Sequence, residues 1–75
     1  MYEDYVLDCK KTINFYDEMI SKWSEERYKA WLKGDDFRMA YCYNMIYMYE
    51  NERQKIVHAM ERLMQAGTNT IEGRL

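Results

Sequence analysis

Proline is absent from this chain, and glycine occurs only three times in 75 residues, at positions 34, 67 and 73. A fold of many short strands needs turn residues every 8–12 positions or so, so a β-sandwich or barrel is excluded. No proline interrupts a helix anywhere. Cysteine is scarce as well, with Cys9 and Cys42 the only two. Neither stands beside another cysteine or a histidine at metal-ligand spacing, which excludes a disulfide-stapled miniprotein and a zinc knuckle. No apolar run approaches the ~20 residues needed to cross a bilayer. The opening "MYEDYVLDCKK" is acidic and has no apolar secretory core. Free thiols and no leader fit a reducing, intracellular setting, and a cytoplasmic location without membrane attachment is expected.

Charge of a single sign is missing too. Eleven basic and thirteen acidic residues are interspersed, for a net −2. A nucleic-acid binder normally carries a basic patch, and the basic residues in "CKK" and "ERQKIVHAMER" alternate with acids as a salt-bridged solvent face does. Direct nucleic-acid binding is therefore not expected. The one histidine, His58, has Glu61 a turn later, but two ligands are too few for a metal. The carboxylate pairs Asp17–Glu18, Glu25–Glu26 and Asp35–Asp36 lack the Glu-x-x-His partners of helical-bundle metal sites. They read as solvated faces and helix-end charges. There is no Gly-rich phosphate loop and no nucleophile beside a base. No catalytic residue, metal ligand or cofactor is assigned, and the chain is not expected to be an enzyme.

What remains between the glycines is periodic. Residues 3–33 are expected to form the first helix, and the apolar positions Tyr2, Val6, Cys9, Ile13, Tyr16, Ile20 and Trp23 alternate spacings of four and three, continuing to Arg27 and Ala30. Residues 36–66 repeat the pattern with Met39, Cys42, Ile46, Tyr49, Arg53, Ile56, Met60 and Leu63. The fold class is therefore all-α: two long antiparallel helices with a coiled-coil-like seam, in a single domain spanning 1–67. The turn is expected at 34–35, with Gly34 ending the first helix and Asp35 or Asp36 capping the second. Gly67 is expected to end the second helix. The tail 68–75 contains "IEGR" at 71–74, which resembles the factor Xa cleavage motif of expression tags, so it is left outside the domain. A tight turn sets the register: Trp23 opposite Ile46, Ile20 opposite Tyr49, Ile13 opposite Ile56 and Val6 opposite Leu63. Cys9 and Cys42 then lie too far apart for a disulfide, which needs Cα atoms within about 7 Å. Both read as small core hydrophobes.

The seam leaves much unused. The stretch "FRMAYCYNMIYMYENE", residues 37–52, holds four tyrosines and three methionines, far more than packing on one neighbour requires. Phe37, Tyr41, Tyr43, Tyr47 and Met48 fall off the seam, and the first helix adds Tyr28, Trp31 and Leu32 near the same turn. A helix apolar nearly all round is buried on more than one side. Tyr, Trp and Met are types enriched at protein interfaces, and a chain this short buries only about 60% of its unfolded surface alone. These eight residues are expected to form one interaction flank beside the turn, with the hairpin pairing as a homodimer into a four-helix bundle. Arg27 and Arg53 interrupt the two seams at equivalent positions and set its polar specificity. Asp17, Glu50 and Glu52 are within reach of Arg53, which could alternatively form an anion pocket with Tyr16 and Tyr49. The expected function is a small intracellular regulator or adaptor that binds protein, itself included. A very short, proline-free, Tyr- and Met-rich chain also resembles in style the accessory proteins of phages and mobile elements. That resemblance implies an inhibitor that blocks a host protein such as a defence component. An accessory subunit of a nucleic-acid-processing complex is the further alternative.

Overall fold

The computed structural model describes residues 2–73, and side chains from 3 to 66. It is a helical hairpin: α1 runs Tyr2–Lys33 and α2 runs Asp36–Gly73. Glu3 and Asp4 occupy the first turn of α1 and Lys33 its last, each complementing the helix dipole.

The turn follows from Gly34. Its φ of 69° is left-handed, a conformation that costs an L side chain roughly 1–2 kcal/mol. With Gly34 there, its own N–H donates to the Trp31 carbonyl at 3.0 Å and the Asp35 N–H donates to the Ala30 carbonyl at 2.9 Å. This pair of hydrogen bonds is the Schellman arrangement that satisfies the last carbonyls of a helix. Asp35 then starts α2: its carboxylate accepts from the Arg38 N–H and its carbonyl accepts from the Met39 N–H, both at 3.0 Å. Of the two aspartates, Asp35 is the cap.

The core is the heptad seam. Cys9, Ile13, Ala30, Cys42 and Ile46 are buried, Cys42 completely, and every other seam residue from Val6 to Leu63 is half-buried. Both cysteines are free thiols. Tyr49, expected at the height of Ile20, has its ring 6.0 Å from that of Tyr16, one turn lower on α1. The Trp23 ring lies 5.6 Å from that of Tyr41.

One boundary differs from expectation. The backbone of α2 continues through Gly67 to Gly73, seven residues past the end assigned from sequence. A lone glycine costs a helix roughly 1 kcal/mol relative to alanine without breaking it, and no proline follows to force a stop. The rest of the tail, residues 74 and 75, lies outside the described residues.

The hairpin measures 61 × 17 × 12 Å with a radius of gyration of 17.6 Å. A compact domain of this length would have a radius near 11 Å. The shape is a thin two-helix plate, and no third layer covers either broad side. No described helix is long and apolar enough to cross a membrane.

Candidate protein-interaction surface

All eight residues assigned to the flank are exposed: Tyr28, Trp31, Leu32, Phe37, Tyr41, Tyr43, Tyr47 and Met48. They do not form the single flank expected. Tyr41 and Tyr43 are two residues apart, which turns them about 200° around α2, and each reaches α1 on its own side of the seam. Tyr41 meets Trp23, whereas Tyr43 lies under Arg27, whose Cζ stands 5.5 Å from the ring centroid. In the fold, Tyr47 is one turn from Tyr43 and belongs with it.

On the first side, Tyr28 and Trp31 of α1 join Tyr43 and Tyr47 of α2. The Tyr28 and Trp31 rings are 6.0 Å apart. Ser24, half-buried, and Ala40 are the small residues among them. Among these six residues there is no formal charge; Arg27 stands over Tyr43, and Asp36 and Glu50, each one heptad from Tyr43, border the stretch on α2. Further from the turn, Arg53 Nε donates to Asp17 Oδ1 at 2.6 Å. Arg53 is thus committed to one of the three carboxylates expected within its reach, and the anion pocket with Tyr16 and Tyr49 is closed by that pair.

The second side carries Trp23, Tyr41, Met45 and Met48, and cations already cover it. Arg38 lies 5.5 Å from the centroids of both Trp23 and Tyr41, and Lys22 lies 5.7 Å from Trp23. Arg38 also pairs with Glu26 at 3.9 Å, and Lys29 lies within 4 Å of both Glu25 and Glu26. Beneath this layer the Trp23 Nε1 is buried without a hydrogen-bond acceptor.

Exposure follows the same division. Tyr28, Trp31, Tyr43 and Tyr47 are 59–63% exposed, against 45% for Tyr41 and 44% for Met48. Leu32 and Phe37, the latter 86% exposed, project at the turn and belong to neither side.

Four further large apolar residues are exposed that the sequence reading did not single out: Tyr5, Leu7, Phe15 and Met64. The signal was present, since none lies on the seam, but they are scattered singly among charges. Leu7 precedes Tyr28 by three heptads and Met64 follows Tyr43 by three heptads. Both therefore fall on the first side, at the end away from the turn, where they line a shallow groove with Glu3, Asp4, Val6 and Lys10.

The candidate chemical residues remain solvated. His58 is exposed, with its Nε2 2.8 Å from Gln54 Nε2. Among the described residues no three histidine, cysteine or acidic side chains converge as a metal site would require. No protein-family model matches the chain, and comparison with curated proteins and with solved structures returns no match.

Proposed function

We propose that this chain is a non-enzymatic protein–protein interaction module that acts as a homo-oligomer through its exposed aromatic and methionine-rich surface. One observation carries the reading. The hairpin exposes 6108 Å², whereas a folded monomer of its 9.3 kDa exposes about 5,000 Å². The excess, about 1,100 Å², is of the size that a stable interface removes from each partner, about 800 Å². The exposed residues are of the right types: tyrosine and tryptophan give wide contact area at low entropic cost, and methionine repacks to suit its neighbour. Pairing two plates supplies the missing layer and completes a four-helix bundle.

The test is the solution mass by light scattering across a hundredfold dilution, with Trp31→Ala alongside. A mass of two or more chains, reduced by the substitution, is expected. A folded single chain at every concentration overturns self-association.

A second reading is favoured by Phe37 and Leu32, which project beyond both sides at the tip. A plate-on-plate assembly leaves them in water, where they suit the capture of a different protein. Phe37→Ser then abolishes retention of that protein and leaves the oligomer mass unchanged.

A further inference from the structure

We propose that a second copy of this chain covers the side bearing Tyr28, Trp31, Tyr43 and Tyr47, through the same side of its own. The two copies are related by a two-fold axis parallel to the helices. The inference rests on the self-association just proposed and specifies its surface and geometry.

Three observations select this side. The first is charge. The opposite side is closed by its own cations, with Arg38 and Lys22 over the Trp23 and Tyr41 rings and Glu26 holding Arg38. A partner docking there has to strip those cations from their rings, and Arg38 from Glu26 as well. On the first side Arg27 is already placed over Tyr43, and the acidic residues of α2 on that side, Asp36 and Glu50, stand one heptad to either side of Tyr43, at the borders of the aromatic cluster. The four rings themselves are uncharged and meet no like-charge repulsion when they face their own copies, and charges of both signs at their borders offer little to select a strongly acidic or basic partner. A second copy therefore fits this side better than a charged target.

The second observation is relief. Ser24 of α1 and Ala40 of α2 are small residues set among the large rings. A self-facing surface needs such recesses opposite its own knobs. Each helix supplies both, so α1 of one copy can interdigitate with α2 of the other.

The third is extent. Four aromatic residues near the turn do not by themselves supply about 1,100 Å² of contact; at 150–250 Å² each when fully buried, their exposed fractions sum to roughly half of it. Leu7 and Met64 extend the same side at the far end. A two-fold axis along the helices keeps both turns at one end and lays the aromatic cluster on the aromatic cluster. It also lays the Leu7–Met64 end on its own kind. The Asp17–Arg53 pairs fall between them, already neutralised within each chain. An axis across the helices that still laid cluster on cluster would bury the turn halves alone, and one through the middle of the plate would lay each cluster on the Leu7–Met64 end instead.

The experiment compares charge variants on the two sides by sedimentation and helicity. Tyr47→Lys and Trp31→Glu, each alone, are expected to weaken the dimer about thirtyfold or more, as loss of a central aromatic anchor does. Tyr41→Lys on the opposite side is expected to leave it within about threefold, as an off-interface contact does. An equimolar mixture of Trp31→Glu and Tyr47→Lys chains is expected to recover dimer mass, because α1 of one copy lies on α2 of the other. The mixture also serves where a single variant loses helicity, since helicity then returns with mass. Dissociation by Tyr41→Lys with Tyr47→Lys unaffected overturns the choice of side and leaves self-association standing. A mixture that stays dissociated overturns the two-fold geometry. A wild-type chain that is monomeric throughout defeats the broader reading as well.

Discussion

The two sides of this hairpin carry the same kinds of residue and differ in what stands over them. On one, Arg38 lies against the Trp23 and Tyr41 rings and Lys22 against Trp23, and Glu26 holds Arg38 in turn. On the other, four aromatic side chains of similar size are about 60% exposed, with a single arginine over one ring. The difference shows how a thin plate can be finished on one side and left open on the other although aromatic rings lie on both. A cation over a ring contributes roughly 0.5–1 kcal/mol at an exposed site, and its larger consequence here is to keep the ring face occupied.

Substitutions can break or sharpen this contrast to different degrees. Ile46→Ala has the largest expected effect, because Ile46 belongs to the buried seam that both sides share. A cost of about 2–5 kcal/mol, read by urea denaturation, should remove both sides together. Gly34→Ala comes next. Nothing lies within 4 Å of the added methyl group, so the cost arises from the left-handed backbone alone, about 1–2 kcal/mol. A thermal melt should show it, with association per folded chain unchanged. Arg38→Ala uncovers two rings on the closed side. It should cost about 0.5–1 kcal/mol and move the Trp23 environment toward solvent, read by its fluorescence against a Trp31→Phe background. The smallest effect is expected for Asp17→Asn. Its pair with Arg53 is roughly half exposed, and such pairs contribute about 0.2–1 kcal/mol. That difference should shrink further in high salt.

The seam was legible because a 3.5-residue period survives any choice of partner. All five buried residues and all the half-buried seam members fell on positions the spacing had marked, and Gly34 and Asp35 announced the turn through their own backbone and side-chain chemistry. Exposure of the eight off-seam residues followed by subtraction. Their division into two sides did not, since it depends on the angular step between Tyr41 and Tyr43 and on which α1 residue each one meets. Arg38 over Trp23 was hidden for the same reason: it is fifteen residues away along the chain and arrives only through the turn. Gly67 misled because a glycine that ends a helix and one that merely weakens it look alike without a proline or an αL geometry beside them.

The most direct test of the contrast needs no substitution. Hydroxyl-radical labelling of the native chain, read residue by residue, compares Trp31, Tyr43 and Tyr47 with Tyr41 and Met48. If a second copy covers the open side, the first three are protected well below what their exposure of about 60% in the single hairpin implies, while Tyr41 and Met48 label as half-exposed residues. Labelling of Trp31, Tyr43 and Tyr47 at the level of free surface aromatics, in a chain that stays helical, would contradict the account.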